Sequence, residues 1–439
     1  MSGLEIGLTG FGVMLVLLAL RIPIGVAMLT VGMAGYVTIA GENALFSYLK
    51  TETYWRLTAE TLSVVPLFLL MGQFAAKAGL SQALFAAAYT WLGHHRGGIA
   101  MAAIGGCAGF GAISGSSLAT SATMGQVALP ELKRFNYSGA LATGSLAAGG
   151  TLGILIPPSV VLIIYAVMVE ANVATLFQAA FIPGILAALG YIAVIAIVVR
   201  VNPEAGPAGE RATRAQKWAA LLEIWPVLII FVLVMGGIYF GIFTPTEGAG
   251  VGAFGTFLIA ITRGGMRVNG FIEALLGTAQ TTAMIFLILL GAAIFNAFLG
   301  FSQLPITAAD FFGNSGLSPY TILFGMIALF IVLGFVMDSL SMIFLTIPIF
   351  WPIIAALDFG MSPDEAKLWF GIIALIVVEM GLITPPVGLN VFIINSMAKD
   401  VPMIETFKGV IPFFASDIIR VGVLIAFPTI TLILPRLLA

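Results

Sequence analysis

Ser114-Gly115-Ser116-Ser117, with the later stretch Gly153-Ile154-Leu155-Ile156-Pro157-Pro158, forms a motif that occurs twice in this chain. The second copy reads Met337-Asp338-Ser339-Leu340-Ser341 and then Gly381-Leu382-Ile383-Thr384-Pro385-Pro386. Both copies lie in stretches that are otherwise apolar enough to cross a bilayer. Gly/Ser clusters and tandem prolines free backbone groups that hydrocarbon cannot satisfy, so they are tolerated at this depth only inside protein or along a cavity. The two copies therefore predict an internal cavity.

The composition indicates a membrane protein with several spans. Of the 439 residues 60% are hydrophobic and 9% are charged, whereas about a quarter are charged in a soluble domain. The net charge of −2 gives no indication of a nucleic-acid partner. The single cysteine excludes an internal disulfide and a cysteine-based metal cluster, and two histidines are too few for a zinc or haem site. The first apolar run lacks a preceding basic region, so we expect no removable signal peptide.

Two apolar stretches, about 97–131 and about 318–357, have a Gly/Ser-rich or acidic centre. Each stretch can form either two spans or a re-entrant hairpin that enters and leaves on the same side of the membrane. If both are hairpins and the N-terminus is periplasmic, most Lys and Arg residues fall on the cytoplasmic side, as the positive-inside rule requires. Charge therefore favours two hairpins, with both termini in the periplasm.

The two copies belong to a longer internal repeat. Three pairs of corresponding residues are each 222 positions apart: Pro23 and Pro245, Ser116 and Asp338, and Pro130 and Pro352. An odd number of crossings in each half makes the two halves inverted relative to each other. We predict an all-α fold with inverted repeats at 1–200 and 218–439, joined by a cytoplasmic loop at 201–217. Broken helices at 136–169 and 367–398 follow the two hairpins.

These breaks have a chemistry that suits a secondary transporter. Helix N-termini at mid-membrane present free N–H groups to an anion, and neighbouring carbonyls and hydroxyls suit sodium, a hard cation that takes oxygen ligands. We expect sodium ligands at Ser114, Gly115, Ser116, Ser117, Gly153, Pro157, Asp338, Ser339, Gly381, Thr384 and Pro385. We expect the substrate to contact Ser116, Ser117, Thr120, Pro158, Ser341, Pro386 and Asn390. Neither core contains Arg or Lys, so N–H groups, hydroxyls and bound cations would hold a carboxylate.

Each of these features also has a purely structural interpretation. Ser and Gly serve close helix packing, and tandem prolines mark kinks, although the duplicated order favours a site. Asp338 is either a cation or proton ligand or a cap at the hairpin tip. Glu379 is either a coupling acid or an interior hydrogen-bonding partner, and Asn390 faces either the cavity or a neighbouring helix. Asp417 and Arg420, at i and i+3, are expected to neutralise each other.

Four stretches resemble the large membrane subunit (the M, or DctM-like, subunit) of TRAP transporters. They are Gly109-Phe-Gly-Ala-Ile-Ser-Gly-Ser-Ser-Leu-Ala-Thr-Ser-Ala-Thr123, Gly381-Leu-Ile-Thr-Pro-Pro-Val-Gly-Leu-Asn390, Arg21-Ile-Pro-Ile-Gly-Val-Ala27 and Phe243-Thr-Pro-Thr-Glu-Gly248. The resemblance covers essentially the whole chain. It implies sodium-driven uptake of an organic acid across the bacterial inner membrane, with sodium as the coupling ion.

The resemblance also implies an assembly and a movement. A periplasmic substrate-binding protein delivers the acid, and a smaller four-helix Q subunit braces the M subunit. The chain has no room for four further spans, so a separate Q subunit is implied. A transport domain that contains both hairpins slides against a scaffold, as an elevator. The family's sodium sites correspond to the first tip with the Gly153–Pro158 break, and to the second tip with the Gly381–Pro386 break.

Three other functions compete with this interpretation. An intramembrane serine protease needs a base near its nucleophile, but His94 and His95 lie together beside Arg96, so we expect no enzyme. A passive channel suits paired broken helices less well than alternating access does. A sodium/carboxylate symporter that works without a binding protein remains the main alternative.

Overall fold

The computed structural model describes residues 2–335 and 337–438, and these ranges form helices and no strand. Helices are expected because hydrocarbon leaves no water to pair with the backbone, so apolar segments must satisfy their own N–H and C=O groups. The all-helical part of the predicted fold class is confirmed. The inverted orientation of the two repeats stays a prediction.

The first half of the chain contains a hairpin followed by a broken helix. Its helices are α1 Gly3–Ala19, α2 Ile24–Ala40, α3 Glu42–Thr58, α4 Val64–Lys77, α5 Leu80–Leu92, α6 Gly98–Ser114, α7 Ser117–Arg134, α8 Gly139–Leu155, α9 Val160–Val169 and α10 Val173–Val201. α6 and α7 pack against each other as a helix–turn–helix. α8 and α9 are the halves of the broken helix, bent by 45°. α3 was not predicted, because its charged residues make it too polar for a span.

The second half repeats this order. Its helices are α11 Arg214–Glu223, α12 Trp225–Phe231, α13 Gly237–Tyr239, α14 Pro245–Thr262, α15 Val268–Ser302, α16 Leu304–Gly313, α17 Pro319–Gly334, α18 Ser339–Ala355, α19 Pro363–Gly381, α20 Leu389–Met397, α21 Met403–Ala426 and α22 Thr429–Leu438. α17 and α18 are the second hairpin, and α19 and α20 the second broken helix. The predicted loop at 201–217 is shorter in the structure, because a capping box between Thr213 and Gln216 starts α11 at Arg214.

Several helices have the length and composition of membrane spans. Within the described ranges α10, α15 and α21 are each long and apolar enough to cross a membrane. Three bent pairs reach that length together: α3 with α4, α8 with α9, and α11 with the helical segment 225–239. α1, α2, α6, α17, α18 and α22 are shorter apolar helices.

The helices that matter for the site form two packed groups. We call α1, α2, α4, α14 and α15 the outer group, in which α2 packs along α15 and α4 along α14. We call α6–α9 and α17–α20 the hairpin group, in which each hairpin packs on the broken helix of its own half. α20 packs on α7 and α8 and so joins the two halves. Lys133 and Asp400 form an ion pair beside this contact, and the hydrogen bond from Lys133 lowers the pKa of the Asp400 carboxyl.

Candidate functional site

The first hairpin turns within two residues. α6 ends at Ser114, Gly115 has a φ of +62°, and Ser116 is the N-cap of α7. A left-handed φ favours glycine, since a Cβ makes that conformation costly. The Ser116 hydroxyl accepts a hydrogen bond from the Ala119 N–H at 3.4 Å. The hydroxyls of Ser114 and Thr120 lie 2.8 Å apart and are buried, so Thr120 supports the turn from inside.

This first tip lies directly against the break between α8 and α9. A Cβ placed on Gly153 would approach the Ser116 carbonyl oxygen to 2.6 Å, and one on Gly115 would approach the Pro158 carbonyl oxygen to 2.9 Å. A Cβ on Gly111 would lie 2.6 Å from the Gly153 Cα. The backbone of the first tip therefore touches the backbone of the first break. The sequence predicts a shared site at this point.

The second tip has the same relation to its own broken helix. A Cβ on Gly334 would lie 2.7 Å from the Gly381 Cα, so α17 touches the end of α19. Asp338 is the N-cap of α18, and it accepts a hydrogen bond from the Ser341 hydroxyl. Asp338 is half-exposed, and this hydrogen bond holds its side chain at the tip. Residue 336 of this turn lies outside the described ranges.

Glu379 connects the two tips. Its side chain is only 1% exposed, and its Oε1 accepts a hydrogen bond from the Ser339 hydroxyl at 2.6 Å. Ser117 of the first tip lies next to the same carboxylate. Oε2 has no hydrogen-bond partner in the part of the chain that the structure describes. Glu379 is thus an interior hydrogen-bonding partner, and a role as a coupling acid stays a prediction.

Both tips line one small cavity of about 70 Å³. This is far below the range of most small-molecule sites, about 300–1,000 Å³, and more than a single water needs, so the space suits an ion with a few waters. The residues that line it from the tips and breaks are Gly115, Ser116, Ser117, Leu118, Ile154, Val160, Val161, Asp338, Ser339, Leu340 and Leu382. Leu69 of α4 and Thr281 of α15 close it from the outer group. The sequence did not point to these two, because no local motif marks which distant helix will pack there.

A larger cavity of about 540 Å³ lies on the other side of the second tip. The turn between α1 and α2 forms one wall with Arg21, and Asp338 and Ser341 form the facing wall. Val387, after the second tandem proline, completes it. Asp338 therefore lines both cavities. Arg21 was not predicted as a site residue, because it is far from both motifs in sequence.

The remaining predicted residues, apart from the buried Pro157 of the first break, fall around the second break. Asn390 is fully buried and donates a hydrogen bond to the Ala147 carbonyl oxygen of α8 at 3.4 Å. Its Oδ1 has no partner among the described residues. Thr384 donates to the Met380 carbonyl, and Pro385-Pro386 is exposed. Asn390 therefore joins the second break to α8 of the first broken helix, and its contact with substrate stays a prediction.

The expected pairing of Asp417 with Arg420 is confirmed. Nη2 of Arg420 lies 2.8 Å from Oδ1 of Asp417, and the Tyr191 hydroxyl donates to the other carboxylate oxygen at 2.8 Å. All three side chains are buried. A buried pair of opposite charges needs no ligand to neutralise it, and the Tyr191 hydrogen bond links α10 to α21.

Comparison with known proteins places the whole chain in one family. Residues 11–430 match the family described as "Tripartite ATP-independent periplasmic transporter, DctM component". The C4-dicarboxylate TRAP transporter large permease protein DctM of Pseudomonas aeruginosa is 36% identical, over 86% of this chain and 86% of that protein. The sialic acid TRAP transporter large permease protein SiaM of Vibrio cholerae is 29% identical over 96% of each.

Two further comparisons concern chain length and fold. The isethionate TRAP transporter permease protein DctMQ of Oleidesulfovibrio alaskensis is 31% identical, and the match covers 92% of this chain and 62% of that longer protein. The crystal structure of the YdaH transporter of Alcanivorax borkumensis superposes with a TM-score of 0.64 at 15% identity, over 87% of this chain and 88% of the other. That likeness concerns the fold alone. By its sequence match over almost its full length, the chain belongs to the DctM family, the large permease subunits of tripartite ATP-independent periplasmic (TRAP) transporters.

Proposed function

We propose that this permease subunit couples the uptake of an organic acid to sodium ions. A periplasmic binding protein delivers the acid, and a separate small membrane subunit accompanies the permease in the inner membrane. The observation that carries the proposal is the convergence of both hairpin tips and both helix breaks on one cavity. Nothing in packing alone requires two distant copies of a motif to meet.

The chemistry of this cavity supports a cation. Hydroxyls of Ser116, Ser117 and Ser339 and the carboxylate of Asp338 are oxygen donors, which a hard cation prefers. Two carboxylates, Asp338 and Glu379, lie close together without an ion pair to any described residue. Asp338 is half-buried, and a negative charge at bilayer depth is costly unless a cation compensates it. Sodium ions carried as cargo would supply that compensation.

The arrangement of the helix groups supports an elevator movement. The small cavity lies between the hairpin group and the outer group, with Leu69 and Thr281 on one side and Ser116 and Asp338 on the other. The larger cavity also lies between these groups. If the hairpin group slides along the outer group, the site passes from one side of the membrane to the other while its tip–break contacts remain intact.

The relatives suggest the class of substrate. Their names specify C4-dicarboxylates, a sialic acid and isethionate, which are all small organic anions. The N-terminus of α18, which borders the larger cavity through Asp338 and Ser341, suits such an anion, because the first turn of a helix leaves N–H groups unpaired. We therefore propose an anionic carboxylate or sulfonate.

The test is uptake into proteoliposomes that contain this subunit with its small membrane subunit. Radiolabelled succinate, N-acetylneuraminate and isethionate are offered with and without the binding protein, under an inward sodium gradient or an equal potassium gradient. We expect uptake of one acid that requires both sodium and the binding protein. Uptake without the binding protein would instead identify a simple sodium/carboxylate symporter. Equal uptake under both gradients would contradict sodium coupling.

A further inference from the structure

The cavity between the α1–α2 turn and the second hairpin tip has the size and charges of an anion site. Its volume of about 540 Å³ lies within the range of small-molecule sites, about 300–1,000 Å³. The cavity between the tips, at about 70 Å³, lies well below that range. The larger cavity is therefore the better fit for an acid, and Asp338 lines both cavities.

An anion bound in the larger cavity needs a positive charge on the wall formed by the α1–α2 turn, because the facing wall carries Asp338. The carboxylate of Asp338 repels an approaching anion, and the small-cavity sodium site proposed above neutralises it from only one side. Arg21 is the basic residue among those that line the larger cavity in the described chain. It is exposed and forms no ion pair with any described residue. A guanidinium presents a planar fork of N–H donors that matches a carboxylate or sulfonate.

We propose that Arg21 binds the acidic group of the transported anion in this cavity, opposite the second hairpin tip, and so determines specificity for anions. The inference rests on the proposed function and adds a residue from the outer group to the site. Arg21 then supplies the positive charge that both motif cores lack. The acid lies between a guanidinium on one helix group and the N-terminus of α18 on the other.

The first experiment measures the charge preference of the cavity without any substrate. Leu389 lines the cavity and is half-buried, and Leu389→Cys is introduced in a Cys107→Ala background of the full permease with its small subunit. The probes are two methanethiosulfonate reagents, one bearing a sulfonate and one a trimethylammonium group. We expect Arg21→Gln to lower the ratio of sulfonate to ammonium labelling rates about three- to tenfold, and Arg21→Lys to retain most of it.

The matched control is Arg200→Gln, at the end of α10. Arg200 is also exposed and does not line the cavity, so its loss changes net charge equally. An unchanged labelling ratio in Arg21→Gln, or an equal fall in Arg200→Gln, would overturn the proposal.

The second experiment measures uptake of whichever of succinate, N-acetylneuraminate and isethionate the unmodified permease transports. We expect Arg21→Gln to raise KM for that acid about tenfold, the loss of one charge-assisted hydrogen bond, with a smaller effect on the maximal rate. An unchanged KM would show that Arg21 does not bind the acid, whatever the labelling ratio. If the unmodified permease takes up none of the three acids, the labelling ratio alone decides the charge of the cavity, independently of the proposed function.

Discussion

Asp338 is the residue on which the ion chemistry depends most, because its carboxylate lines both cavities. Asp338→Asn keeps the size of the side chain and removes its charge. We expect the sodium concentration for half-maximal uptake to rise about tenfold or more, as a charge-assisted contact is worth about 1.5–3 kcal/mol. Asp310→Asn, on the exposed face of α16, is the control. Unchanged sodium dependence in Asp338→Asn would return this residue to the role of a helix cap.

Two substitutions of Glu379 can separate the effect of its hydrogen bond from the effect of its charge. Gln keeps an oxygen that can accept from the Ser339 hydroxyl, whereas Ala leaves that hydroxyl unpaired and a space beside it. We expect Glu379→Gln to retain the melting temperature of the purified protein, and Glu379→Ala to lose about 1–3 kcal/mol of stability. Equal melting temperatures for the two variants would show that the Ser339 contact contributes nothing. Sodium-dependent uptake by Glu379→Gln then tests the charge alone.

At the scale of helices, each hairpin depends on one glycine of its broken helix. A Cβ on Gly153 or Gly381 would meet backbone atoms at 2.6 Å, and backbone cannot rotate away as a side chain can. We expect Gly153→Ala and Gly381→Ala each to cost about 1–3 kcal/mol and to reduce sodium-dependent uptake strongly. Thermal unfolding and uptake, measured on the same preparations, test this prediction.

The control for these glycines is Gly300 of α15, where a Cβ would meet no atom within 4 Å. Gly300→Ala should be neutral or slightly stabilising, because alanine favours a helix by about 1 kcal/mol over glycine. If Gly153→Ala behaved like Gly300→Ala, the close contact between tip and break would not matter for transport.

Helix ends could be predicted where the sequence contains residues that end a helix by their own backbone geometry. The two hairpins and two broken helices lie where the Gly/Ser clusters and tandem prolines predict them, because those residues end helices by their own backbone geometry. α3 could not be predicted in the same way, since hydropathy does not mark a helix that carries Glu42, Lys50, Glu52 and Arg56. Its Phe46, Tyr54 and Trp55 are exposed, so these large apolar side chains do not pack against the rest of the chain.

At the scale of the whole molecule, the inverted repeat has a direct test. Lys133 lies in the last turn of the first hairpin and Ser362 follows the second hairpin, and both are exposed. Cysteines at these two positions, in a Cys107→Ala background, should react with a membrane-impermeant thiol reagent from opposite sides of the membrane. Inside-out and right-side-out vesicles provide the two orientations. Labelling of both positions from the same side would contradict inversion.

The contacts between distant helices are what the sequence could not provide. Arg21, Leu69 and Thr281 line the cavities from α1–α2, α4 and α15, and none of them belongs to either motif. Their positions follow from the packing of two helix groups, which no local pattern encodes. The residues within the motifs could be predicted because the repeat marks them twice. No repeated motif marks the residues that line the cavities from α1–α2, α4 and α15.

α15 has a consequence for the lipid that surrounds this protein. Its 35 residues extend over about 52 Å at 1.5 Å per residue, whereas the hydrocarbon of a bilayer is about 30 Å thick. The excess must be accommodated by tilt or by extension into the headgroup region. α15 lines the small cavity through Thr281. A change in bilayer thickness would therefore change the tilt of a helix along which the hairpin group would slide. Uptake rates should therefore vary between vesicles made from short and long acyl chains.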